Sequence, residues 1–160
     1  MTDNFPKCFD LLIGNERGFT VDNGGPTMWG VTQAVARAFG YQGDMKLLPK
    51  QTAMEIAKAK YWMPFHCDLF AAPIAFQLFD AAYNGGRPVQ WLQTIANTTA
   101  VGSGLAAALS TMNAWEVVAK FNALRLQYLA SLKQPQYANG RMNRIANNIL
   151  FGGSLNDAAN

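Results

Sequence analysis

The sequence predicts an all-α fold. Apolar residues recur at helical spacing along nearly the whole chain, Pro and Gly interrupt that pattern at regular intervals, and no long alternating apolar–polar run suggests an extended sheet.

Phe5, Phe9, Leu12 and Ile13 share one face of a first helix, with Asn4 as N-cap, Pro6 in the first turn and Gly14 breaking the pattern. Around Thr20 and Val31 there is room only for a scrap of strand. Thr32 to Phe39 predicts a short helix ended by Gly40. Pro49 to Trp62 predicts another, apolar at Met54, Ile56, Ala57 and Tyr61 and stopped by Pro64. Pro73 opens a strongly apolar helix, Ile74 to Tyr83, which ends at Asn84-Gly85-Gly86, since a glycine past the last turn is the usual stop. Pro88 opens the next, carrying Val89, Trp91, Leu92 and Ile95, and Gly102-Ser103-Gly104 leads into Leu105 to Leu109. Asn113 caps a long helix to about Leu132, with Trp115, Val118, Phe121, Leu124 and Tyr128 as its core face, ended by Gln134-Pro135. Asn139 caps a last helix through Ile145 and Ile149 to Phe151, and residues 154–160 read as a frayed tail.

A chain of 160 residues, 50% apolar and 14% charged, supports one compact domain over residues 1–160 and excludes disorder. No apolar stretch is long enough to span a membrane, and the N-terminus lacks the pattern of a standard secretory signal, so a target outside the cytoplasm would need something else to deliver the protein. Cys8, Cys67 and the lone His66 have no metal-ligand spacing; two buried thiols and a packed histidine are expected, with no metal and no cofactor. From Val117 to Gly153 the charged residues are Lys120, Arg125, Lys133, Arg141 and Arg144, all basic. That half of the chain suits an anionic partner such as a cell-wall polymer; a solvated helix surface explains it equally well. A nucleic-acid-binding helical domain is a weaker rival on the basic segment alone; it lacks a recognisable reading helix, so nucleic acid is not the expected partner.

The chemical interest lies in the stretch from Glu16 to Gly30. A glutamate at a helix C-terminus faces the negative end of the macrodipole, which raises its pKa toward what a general acid needs. Flanking Phe19, Met28 and Trp29 would desolvate it further. On composition and spacing alone, a solvent-facing glutamate with no role is the favoured reading. Asp22-Asn23-Gly24-Gly25-Pro26 reads as a tight turn, yet a second carboxyl on a bent loop is also how glycosidases place the group that attacks or activates water. Thr27 can hold that water. Asp80 sits within an apolar helix and must be paired; a bond to backbone near the site is favoured over sugar binding. Tyr83 and Asn84 end that helix, where polar side chains can reach a groove. Trp29, Trp62, Trp91 and Trp115 read as core.

Glu16-Arg17-Gly18-Phe19, then Asp22, Gly24-Gly25-Pro26-Thr27 and Gly30-Val31-Thr32, resemble the signature of glycoside hydrolase family 108, phage endolysins and related bacterial muramidases. Later segments resemble it in order: Leu48-Pro49 to Tyr61-Trp62, Phe79-Asp80 to Gly85-Gly86, Trp91-Leu92-Gln93, and Gly140-Arg141-Met142-Asn143-Arg144. Arg17, Phe19 and Met142 depart from the family's glycine, tyrosine and tryptophan, and Thr99 to Ala106 departs from its Asp-Gly-x-x-Gly-x-x-Thr. The resemblance implies a lysozyme-like helical fold, with a catalytic region over 1–87 and a peptidoglycan-binding-like region over 88–153 packed on it. It also implies cleavage of the β-1,4 bond between N-acetylmuramic acid and N-acetylglucosamine. Glu16 takes the role of catalytic acid; Asp22 and Thr27 are the candidates for the second group, with Tyr83 and Asn84 on substrate and Asp80 structural beside the site. The expected role is a monomeric phage endolysin on peptidoglycan glycan strands, released through a holin pore for host lysis. The alternatives are a secreted antibacterial muramidase and a non-catalytic peptidoglycan-binding module.

Overall fold

The structure is a computed structural model that describes residues 3–14, 18–22 and 24–156. It divides into two compact units, Met1–Pro64 and Phe65–Asn160.

The first unit opens with helix α1, Phe5–Gly14, which buries Phe5, Cys8, Phe9 and Leu12. The carboxylate of Asp3 accepts from the Phe5 amide at 3.1 Å, a side-chain bond of the kind expected from Asn4. The scrap of strand is a three-stranded antiparallel sheet of β1 (Thr20–Asp22), β2 (Gly25–Met28) and β3 (Val31–Thr32) in that order. Helix α2, Gln33–Phe39, packs on β2 and β3. It starts and stops where its sequence signals lie: the Thr32 hydroxyl accepts from the Val35 amide, and Gly40 adopts φ 106°.

Helix α3, Lys50–Ala57, packs on α1 and α2, then widens into a π turn over Lys58–Trp62. The widening has a packing consequence. Ala53, Ile56 and Ala57 are buried, and a regular helix would next bury position 60 or 61. One extra residue per turn instead buries Trp62 and leaves Tyr61 half-exposed. The Trp62 ring meets Phe5 edge-on at 5.3 Å, an arrangement that contributes ~0.5–1.5 kcal/mol beyond burial.

The second unit is built on helix α4, Ala72–Asn84, in which every residue from Pro73 to Ala81 is buried. Helices α5 (Pro88–Ala96), α7 (Ala114–Ser131) and α8 (Ala138–Asn156) pack against it, and α6 (Gly102–Ser110) rests on α5 and α7. The packing of α4 on α7 and α8 crosses the boundary that the family resemblance draws near residue 87. Trp91 joins α5 to α7 by lying edge-on to Phe121 at 5.3 Å and tilted against Tyr128 at 5.6 Å.

Several expectations are corrected here. The buried face of α7 is Val117, Val118, Phe121, Asn122 and Arg125; Trp115 is 42% exposed, and Leu124 and Tyr128 are half-buried. Hydropathy mislocated that face because two of its members are polar. Asn122 donates to Gln77 Oε1 at 3.1 Å, and Gln77 donates to the Asn148 carbonyl at 2.9 Å, so polar side chains link α7, α4 and α8 within the core. Helix α8 starts before Asn139 and runs to Asn156, with Leu155 buried. His66 is exposed rather than packed, in a left-handed conformation with φ 52° at the start of a short 3-10 turn. Both thiols are buried as expected, and burial pushes the Cys8 pKa up to about 12.

Candidate active site

Within the first unit the candidate site is the β-hairpin. Its register pairs Thr20 with Thr27, Val21 with Pro26 and Asp22 with Gly25, and β2 continues by pairing Thr27 with Thr32. The expected tight turn is shorter than its sequence suggests, because Asp22, Gly25, Pro26 and Thr27 are strand. Gly-Gly-Pro argues against a central strand, since proline offers no donor at its rung. The strand forms nonetheless, with Gly25 at φ 93°. The second turn, Trp29-Gly30, has φ 54° and 73°, the two positive values of a type I′ hairpin. A tryptophan in the left-handed region is strained, and its indole Nε1 donates to the Leu48 carbonyl at 3.0 Å, which anchors the turn.

Cross-strand partners present their side chains on one face, so Thr20, Thr27 and Thr32 form a row of hydroxyls. Thr32 uses its hydroxyl to cap α2. Thr27 is the half-buried middle member. Such a hydroxyl can accept from or donate to a water, the role that the sequence suggests for it. Asp22 closes the hairpin opposite Gly25. Glu16, and Arg17 beside it, lie outside the described residues.

In the second unit Asp80 is fully buried, and its two oxygens meet two arginines from different helices. Arg125 of α7 donates from Nη1 to Oδ2 at 2.7 Å, and Arg144 of α8 donates from Nη1 to Oδ1 at 3.0 Å. Asp80 is paired, as a buried carboxylate must be, but with arginine side chains of α7 and α8 rather than with the backbone expected from the sequence. Its arginine partners were read from the sequence as part of a free basic surface, and a signal was present: Arg125 follows Val118 and Phe121 at helical spacing, on the core face of α7. Lys120 also pairs internally, with Glu116 at 2.6 Å.

Asn84 donates from its amide to the Asp80 carbonyl at 2.9 Å and to Oδ1 at 3.4 Å, which fixes the last turn of α4. Tyr83 packs edge-on against Phe79 at 6.0 Å. Asn84, Gly85, Arg125, Tyr128, Arg141 and Arg144 line a polar cavity of about 260 Å³. The structure thus brings Asp80 and Asn84 together with the arginines, while on the hairpin Asp22 stands opposite Gly25 and Thr27 opposite Thr20. Among the described residues no three His, Cys, Asp or Glu side chains cluster as metal ligands would.

Residues 10–86 match the family model described as Glycosyl hydrolase 108. That range contains Glu16, Asp22, Thr27, Asp80, Tyr83 and Asn84. Among solved structures, the chain is similar to Brucella abortus SagA: TM-score 0.80, 24% identity, covering 94% of this chain and 94% of that one. At that identity the likeness establishes the mostly helical, lysozyme-like fold. No curated protein matches the chain.

Proposed function

The chain belongs, through residues 10–86, to the glycosyl hydrolase 108 family, and from that premise we propose that it is a peptidoglycan hydrolase cutting the β-1,4 bond between N-acetylmuramic acid and N-acetylglucosamine. The observation that carries this reading is that the family match spans Glu16, the hairpin and the end of α4 in one stretch. Glu16 is the general acid: it protonates the glycosidic oxygen as the bond breaks, and the leaving sugar departs as an alcohol. Asp22, Thr27 or both position the attacking water or stabilise the oxocarbenium-like transition state. The threonine row supports a water site at Thr27, since flanking hydroxyls offer alternative donors and acceptors.

The role proposed is that of a phage endolysin, acting as a monomer on glycan strands during host lysis. No helix among the described residues is long and apolar enough to cross a membrane; in this proposal the protein reaches the wall through a separate holin pore. Mass spectrometry of digested peptidoglycan tests the activity. New reducing ends on muramic acid support it; reducing ends on glucosamine would make the protein a glucosaminidase, and free peptide amines would overturn the class. Binding to sacculi without cleavage would leave a wall-binding module.

A further inference from the structure

The polar cavity beside the end of α4 presents an arginine that is bonded to neutral groups, Arg141, next to the Asp80 cluster. Arg125, Arg141 and Arg144 all line it, and Asp80 bonds two of them. Arg141 is held by neutral groups: Nη2 donates to Gln134 Oε1 at 2.7 Å, and its guanidinium stands 5.3 Å from the Tyr137 ring centre. A fourth cation lies close by, with the Arg87 guanidinium 5.8 Å from the ring of Tyr128, itself a lining residue.

We infer that this cavity is a binding subsite for a carboxylate, and that the carboxylate is supplied by the peptide stem of peptidoglycan. The inference rests on the hydrolase reading for the identity of the ligand, but its chemistry stands on the cavity. Arg125 is nearly buried, its side chain 4% exposed, and its bond to Asp80 holds the guanidinium plane in place. A guanidinium presents five donors in a rigid fork that matches a carboxylate, so a pre-oriented pair loses little entropy on binding. A half-enclosed cationic space also concentrates anions before contact. The volume of about 260 Å³ admits a carboxylate with the atoms that carry it but not a saccharide strand. An N-acetylated glycan backbone has no charge of its own; the anionic groups of peptidoglycan are the free carboxylates of its stems. Phosphodiesters of other wall polymers are the competing source of negative charge.

Calorimetric titration of the full chain tests the inference with three probes: a free acidic tetrapeptide stem, the same stem with its carboxylates amidated, and an oligomer of glycerol phosphate. A peptide without sugar needs no glycoside cleavage, so the result stands whatever the fate of the hydrolase reading. The acidic stem should bind at least about tenfold more tightly than the amidated one, the difference expected for losing a charge-assisted pair. Arg141→Gln should remove most of that difference, and Arg141→Lys should retain part of it. Equal binding of the two stems, or no binding of either, overturns the inference without any variant. Tighter binding of the glycerol phosphate oligomer overturns the carboxylate assignment.

Discussion

Asp80 and Arg125, 45 residues apart in sequence, meet at 2.7 Å inside the second unit, and neither side chain is more than 4% exposed. A buried pair of this kind adds little net stability over an apolar pair, but removing one partner strands the other.

Asp80→Asn should therefore destabilise the protein by about 3–5 kcal/mol, because the buried Arg125 guanidinium loses its carboxylate partner. Urea unfolding checks it. A loss below about 1 kcal/mol would show that Arg125 and Arg144 find other anions or water.

Glu16→Gln should leave the fold intact and reduce clearing of outer-membrane-stripped cells by at least about a hundredfold, the lower end of what a general acid contributes. Normal clearing by the folded variant would remove Glu16 from its role.

Thr27→Val keeps a β-branched residue in β2, so the hairpin should persist while the hydroxyl is lost. Turnover should fall by about tenfold or more, and Asp22→Ala should likewise reduce it, both by less than loss of Glu16. If the second group serves a water across a wide gap, of roughly 6.5–9.5 Å between carboxyls, the first product has inverted, α configuration. NMR of the nascent reducing end decides this, and a β-anomer appearing first would instead indicate a covalent intermediate.

Gly86 and Gly140 should respond oppositely to alanine. A Cβ at Gly86 would come 2.8 Å from the Trp91 ring, at φ 153°, whereas at Gly140, within α8, it would meet nothing within 4 Å. Gly86→Ala should destabilise by about 1–3 kcal/mol, and Gly140→Ala should stabilise by about 0.5–1 kcal/mol. Thermal unfolding midpoints moving the same way in both would refute the contrast.

Cys8 has a directional pH signature. Burial raises its thiol pKa in the folded state from 9.0 to about 12. Its contribution is fully present below pH 9.0 and is lost as pH rises toward about 12, since the unfolded chain releases the proton first. Cys8→Ala should lose less stability than the parent between about pH 9 and 11, by up to about 1.4 kcal/mol per pH unit. Parallel stability curves would contradict it.

Local signals placed most of the helices. Pro73, Pro88, Gly40, Gly85 and Asn113 act through their own backbone preference or a bond to the next turn, and each helix begins or ends where they stand. The order of motifs likewise made the glycosidase reading legible, because it depends on residue types at fixed spacing. What only the tertiary structure decided involves partners distant in sequence. The hairpin of Gly25-Pro26-Thr27 depends on pairing with β1 and β3, which overrides a weak strand propensity. The burial of Trp62 over Tyr61 follows from a π turn that no single residue announces. Arg125 and Arg144 read as surface charge in sequence and as counter-ions in the structure: a charge is stable in a core only where another chain segment neutralises it, and that neighbour exists only after folding.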